Sequence, residues 1–387
     1  MKKLILTALI SAASIMTISS GVYAAPLPET MVRVAIIEDR PSADLLLKSK
    51  YVIYALNTGK VLREGTYLNG KITASKDGII ISGKALGAAG IRIKLFKDSN
   101  IYVDTRRFRG SIDILRKDNG MLLVVNNIGL DDYLYGVLYH EVSHRWPMEC
   151  LKAQAIAART FALQQIRQNR LKSYDLRCDI YSQMYGGRTG EKWSTTKAVD
   201  VTRGRVLTFK GNIFPAYYHA TCAGHTEDAS NLWNIDIAPL KGVPCNFCGH
   251  SKHYRWIKEI PLAKVESVLK ESGYKTGHID SVKVLSRNKS GRNGKIDIWG
   301  AAAAPAVISA KDFRQMFGPN DIRSTRFDTV IRGDNLVLSG MGWGHGAGMC
   351  QWGAFGMSQK GKKCDEILKY YYPGTEITTI DKLPAKQ

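Results

Sequence analysis

The spacing of apolar and polar positions changes character along the chain. Over residues 31–37, 51–55, 78–82 and 91–95 the apolar residues form short, β-branched runs. Turn signals such as Asn69-Gly70 and Asp77-Gly78 separate them, which predicts a β-rich N-terminal segment over residues 25–105. Residues 112–115 and 121–125 flank Asp118-Asn119-Gly120 and predict a hairpin. The period then lengthens. Leu134, Val137, Leu138 and Glu141 fall at i, i+3, i+4 and i+7, one face of a helix that Asp131 or Asp132 is expected to cap. Pro147 ends this helix or opens the next, whose packing stripe is Leu151, Ala155, Ala158 and Ala162. Later, residues 213–219 and 296–299 read as strands, and residues 261–272 and 310–317 as helices. There is no internal repeat. The expected fold class is α+β: curved, mostly antiparallel sheets, with a two-helix unit lining a groove.

The first residues belong to a different pattern. Lys2 and Lys3 precede an apolar run over residues 4–16, and Val22-Tyr23-Ala24 provides a small-x-small cleavage site. Residues 1–24 therefore read as a secretory signal peptide, too short in its apolar core to anchor the chain. No cysteine follows the run, so no lipid anchor is expected. The mature protein is expected to be exported, periplasmic or otherwise extracytoplasmic, without a stable membrane span. The whole chain's 387 residues, 44% hydrophobic, suffice for two to three domains' worth of core. A formal net charge of +21 favours an anionic partner. Export argues against nucleic acid and leaves acidic lipid or cell-wall polymer.

Candidate chemistry concentrates around the two helices. Glu141 places a carboxylate where the helical period calls for a core residue, so it is either a catalyst or a salt-bridged rim residue. Lys152 and Arg159, seven residues apart, project from nearly one face of the second helix about 10.5 Å apart along its axis. They are its expected cationic neighbours. Near the C-terminus, glycines surround Trp343, His345, Gln351 and Trp352 between Gly342 and Gly356. Backbone held that close suits either internal packing or a sugar site, because flat rings stack on apolar sugar faces.

Two further motifs need weighing. His140-Glu141-Val142-Ser143-His144 satisfies the zinc-protease pattern H-E-x-x-H. Pro147 stands three residues on, however, and no third ligand follows at a usual spacing. Seven cysteines in an exported chain leave one unpaired if the rest form disulfides. Cys222 with Cys245 or Cys248 is the expected bridge. The alternative is a metal held by some combination of His219, Cys222, His225, Cys245 and Cys248. An oxidising compartment favours the bridge, and no cofactor is expected.

Several blocks in fixed order resemble the SpoIID/LytB family, the stage II sporulation protein D and amidase-enhancer proteins of the cell wall. They are Tyr133 to Val137, Glu141, Trp146-Pro147, Glu149, Leu151 to Ala155, Ala157 to Thr160, Gln183 to Tyr185, His219 to Glu227 with Trp233, Gly342 to Met357, and Tyr371 to Gly374. The resemblance covers about residues 107–375. It implies a catalytic domain over 106–376, with 377–387 as a tail. It also implies a lytic transglycosylase that cuts denuded peptidoglycan strands with 1,6-anhydro-N-acetylmuramic acid formation, in wall remodelling, division or sporulation. Glu141 would be the catalytic acid, with Lys152, Arg159, Gln183, Tyr185, His219, His345 and Gln351 binding substrate. Peptidoglycan and a cell-wall amidase are the implied partners. The amidase-enhancer branch implies an alternative, a glycan-binding protein that stimulates an amidase without cutting. Some members carry zinc near the position of Cys178, but Ser182 and Gln183 replace the ligands wanted there, and that metal is not carried over.

Overall fold

A computed structural model describes residues 30–96, 99–301 and 304–384; the signal-peptide reading falls outside them. The fold is α+β with mostly antiparallel sheets, as the patterning predicts. A seven-stranded sheet runs in the order Leu176–Arg177, Met31–Arg40, Leu122–Gly129, Ser111–Arg116, Gly90–Leu95, Tyr51–Ala55, Val61–Gly65. Only its first pair is parallel. A six-stranded antiparallel sheet is built around Ser42–Leu47 and Leu68–Ser75. The inward faces of both sheets share one core, with Leu45, Leu47, Ile53, Ile93, Ile114 and Val124 at its centre. The N-terminal strands thus enclose the same core as the hairpin that feeds the helices.

Leu122–Gly129 is buried at every position, although it carries Asn126 and Asn127 in its middle. Asn126 tolerates this because its amide donates to the carbonyls of Arg109 and Ser111 and its oxygen accepts from the Tyr185 hydroxyl at 2.7 Å. The strand runs straight into helix α1, Leu130–Glu141. Gly129 occupies the N-cap and supplies no side chain, so Asp131 and Asp132 are first-turn residues and not the expected cap. Their charge still complements the helix N-terminus, and Asp131 is turned inward to a buried partner described below.

Helix α1 stops at Glu141 because Val142 goes extended (φ −139°, ψ 155°) and buries its side chain in the same core. A short turn leads to Pro147, the N-cap of α2, Met148–Asn169. Leu151, Ala155, Ala158 and Ala162 face the sheet core as their spacing predicts. A second stripe, Cys150, Ala153, Ile156 and Ala157, faces another core made with Met349, Cys350, Ala354, Ile367 and Leu368. The small side chains let α2 be buried on both sides, and a single amphipathic stripe does not reveal that.

The predicted strand at 213–219 is reduced to Tyr218–His219, which pairs in parallel with Met349–Cys350. Aromatic packing fixes its approach instead: Tyr217 stacks on Trp233 with centroids 4.2 Å apart. Between the two paired segments the chain builds a lobe. Strands Arg255–Pro261, Asn335–Met341 and Phe327–Arg332 form one of its sheets, and Ile279–Val284, Lys295–Gly300 and Ala306–Ser309 the other. Helices Leu262–Glu271 and Ala310–Phe317 close its own core around Val265, Phe313 and Phe327. Glu376–Thr379 pairs with Arg205–Thr208. No helix among the described residues is long and apolar enough to cross a membrane.

Candidate functional site

The C-terminal end of α1, the Tyr218–His219 segment, the Gly342–Trp352 region and the inserted lobe meet around a groove of about 1060 Å³. Glu141 is the sole carboxylate among the residues lining it. Its Oε1 accepts from the Met184 backbone N–H at 3.0 Å, and Gln351 Nε2 approaches Oε2 at 3.5 Å. Burial raises the carboxyl pKa to about 6, against the opposing pull of Met184, Gln351 and Tyr218. The position at the last turn of α1 adds to this, since a helix C-terminus disfavours a negative charge.

The Tyr218 hydroxyl also acts on this carboxyl and lowers its pKa, a contribution with no local sign in the sequence. Tyr218 accepts from Gln183 Nε2 at 2.9 Å, and Gln183 Oε1 accepts from the Tyr133 hydroxyl at 3.0 Å. A chain of buried polar groups thus runs from the core of α1 to the acid. Because Tyr218 lowers the Glu141 pKa, Tyr218→Phe is expected to move the carboxyl titration above about 6. NMR of the side-chain carboxyl would read it, and an unchanged midpoint would remove Tyr218 from the network.

His219, His345 and Gln351 line the groove. His345 accepts from the Ala347 N–H at Nδ1 and donates from Nε2 to the Tyr218 carbonyl at 2.9 Å, which fixes its neutral tautomer. Burial and the nearby Arg314 and Arg292 hold its pKa down to about 3. His219 donates from Nδ1 to the Ala347 carbonyl, leaving a buried Nε2 without a partner among the described residues.

Four other expectations are corrected. Arg159 does not reach the groove: it is fully buried and bonds Asp131 at 2.8 Å, with further donations to the carbonyls of Val199 and Arg205. Lys152 pairs with Glu149 at 2.6 Å, and Glu149 accepts from the Cys364 N–H. Gln183 and Tyr185 are buried beneath the groove and do not line it. Tyr185 packs on Gly136, where an added Cβ would come within 2.6 Å of the ring. The cations that do line the groove are Lys252, Lys311 and Arg314, all outside the local pattern around Glu141.

The H-E-x-x-H reading loses its geometry. Helix α1 ends at Glu141, so His140 and His144 do not occupy successive turns of one helix. The His140 ring packs on Gly186 and Gly190, where added Cβ atoms would lie 2.0 and 2.6 Å from its Nε2. Among the described residues, the one His/Cys/Asp/Glu set within ligand distance of itself is Cys222, Cys245, Cys248 and Cys350. All seven cysteines are free, and Cys222 and Cys248 Sγ stand 3.6 Å apart, so the expected bridge is not made. His219 and His225 do not join this cluster; His225 Nδ1 bonds the Thr226 carbonyl at 2.6 Å.

The glycine-rich region is packed against the protein itself. A Cβ on Gly348 (φ +69°) would lie 1.9 Å from the Tyr217 carbonyl oxygen, and one on Gly346 (φ +97°) 2.3 Å from Arg292 Nε. Trp343, His345, Gln351 and Trp352 project from this tight backbone into the groove. Trp233 and Tyr181 add exposed rings. An acid held near neutrality, in a groove lined by aromatic rings and cations, can protonate an ether oxygen.

Residues 118–209 match the family described as "Stage II sporulation protein", and residues 245–348 match a domain of unknown function, DUF8618. An uncharacterized protein of Brachyspira hyodysenteriae is 36% identical over 269 residues, 68% of this chain and 71% of that protein. Stage II sporulation protein D of Bacillus subtilis is 30% identical over 277 residues, 66% of this chain and 76% of that protein. An amidase enhancer of Bacillus subtilis is 29% identical over 293 residues, 64% of this chain and 40% of that protein.

Proposed function

The chain belongs to the stage II sporulation protein D family, and on that premise we propose that it is a peptidoglycan lytic transglycosylase acting outside the cytoplasm. One observation carries the reading: a single carboxylate, with its pKa raised to about 6, lines a large aromatic groove. Hydrolysis of a glycosidic bond ordinarily uses two carboxyl groups, one on each side of the sugar. A transglycosylase uses one group twice. Glu141 donates its proton to the glycosidic oxygen while the bond to C1 of N-acetylmuramic acid breaks. The resulting carboxylate takes the proton of the C6 hydroxyl as O6 bonds to C1. The carboxyl is regenerated, and the product carries a 1,6-anhydro ring.

The groove's other groups fit this substrate. Trp233, Trp343 and Tyr181 offer faces for sugar rings. Lys252, Lys311 and Arg314 suit the lactyl carboxylates that a wall amidase frees when it strips stem peptides. That favours denuded strands and makes such an amidase the expected functional partner. The relative named amidase enhancer supports a second reading, in which the groove binds glycan to assist an amidase without cutting it.

Mass spectrometry of glycan released from amidase-treated peptidoglycan separates the two. The transglycosylase is expected to yield fragments one water lighter than hydrolysis products, with anhydro ends. Hydrolysed ends would remove the intramolecular mechanism, and binding without release would leave the enhancer.

A further inference from the structure

We infer that Cys222, Cys245, Cys248 and Cys350 together bind one zinc ion in a tetrahedral, all-sulfur structural site. Their four Sγ atoms lie within 4.8 Å of one another, and all four residues are buried. A tetrahedron of sulfurs at the usual zinc–sulfur distance has edges of about 3.8 Å. The Cys222–Cys248 separation of 3.6 Å matches that edge, whereas a disulfide needs about 2.05 Å. Cys245 and Cys248 have the two-residue spacing common in such sites, and Cys222 and Cys350 come from two other parts of the chain. Sulfur-only tetrahedral donors select zinc or iron, and zinc is the one that needs no redox chemistry.

The surroundings supply what four thiolates require. Cys350 caps the helix Gln351–Gln359, where its Sγ accepts from the Gly353 N–H and from the Cys222 N–H, both at 3.3 Å. The Tyr371 hydroxyl lies 3.1 Å from Cys245 Sγ and can donate to it. Such donors around metal-bound sulfur fix its orientation and offset its charge. Arg292 is a separate indication. It is fully buried, its Nη1 reaches the Gly344 carbonyl, and its Nε and Nη2 have no hydrogen-bond partner among the described residues. Glu227 is the negative group that acts on its charge most, and Cys222 and Cys350 also lie close enough to act on it. A buried guanidinium needs compensating negative charge. Zinc binding releases the thiol protons and leaves a dianionic centre, which adds to the charge that Glu227 provides.

The ion would fasten the groove from behind. Cys222 lies three residues beyond His219, and Cys350 pairs with His219 in the short ladder and immediately precedes Gln351. It would also tie the start of the segment bearing the inserted lobe to these two strands. The inference does not depend on the transglycosylase reading, because metal content is measured without substrate.

The test is elemental analysis of the full chain, purified without metal-affinity resin and supplied with zinc during expression. Roughly one zinc per chain is expected, and the paired change Cys245→Ser with Cys248→Ser is expected to remove it. Should that variant fail to fold, titrating the wild-type thiols with an organomercurial is expected to release zinc in step with cysteine modification. Folded wild-type protein without zinc, with iron in its place, or with an intact mass lowered by the hydrogens lost to disulfides among these four cysteines would overturn the site.

Discussion

Glu141→Gln is expected to reduce cleavage of denuded glycan by about 10³-fold or more while glycan binding survives, because general acid catalysis contributes on the order of 10² to 10⁴ and here one group also serves as base. The substitution keeps the size of the side chain and an oxygen that can accept from the Met184 N–H. Wild-type kcat/KM should be level below the carboxyl pKa of about 6 and fall tenfold per pH unit above it. The same carboxyl links pH to stability. Its folded pKa lies above the unfolded value, so its contribution is fully present below about pH 4.5 and is lost as pH rises through about 6. Glu141→Gln should therefore be more stable than wild type at pH 7.5 by about 1 kcal/mol, allowing for water in the groove, with the gain absent at pH 4. Urea denaturation at the two pH values measures it. A variant that cuts normally removes Glu141 from the chemistry.

Arg159→Ala is expected to destabilise the fold by about 3–5 kcal/mol, the cost of leaving a buried ion pair without one partner. Arg159 is wholly inaccessible and satisfies Asp131 together with the carbonyls of Val199 and Arg205. Arg203, itself exposed, reaches Asp131 at 3.5 Å and compensates in part. Arg159→Lys should recover only a fraction, since an ammonium cannot fork across the same acceptors. Were Arg159 a glycan ligand, the change would raise KM and leave the urea midpoint in place. Lys152 contrasts with it: it is part-exposed and paired with Glu149, so its loss should cost far less.

Near-neighbour patterning carried much of the fold. The short apolar runs at residues 51–55 and 91–95, the hairpin turn at Asp118 to Gly120, and the helical period through Glu141 each became the expected element. These patterns act within a few residues, and burial on one face rewards them directly. The acid was legible for the same reason: it interrupts an apolar stripe.

Partner choice was not legible. Lys152 and Arg159 were the cations nearest to Glu141 in sequence, yet packing gave them Glu149 and Asp131. The cations at the groove, Arg314 among them, come from a lobe inserted far along the chain. Tyr218 and Gln183 become the acid's support only when α2 and the Tyr218–His219 segment are brought together. Cys350 joins the other sulfurs across more than a hundred residues. Sequence alone thus determined most of the elements and the carboxylate set into an apolar stripe, because those follow from local geometry and burial. Tertiary structure decided which charges and sulfurs meet, because a buried polar group takes whichever satisfying partner the completed packing brings within reach.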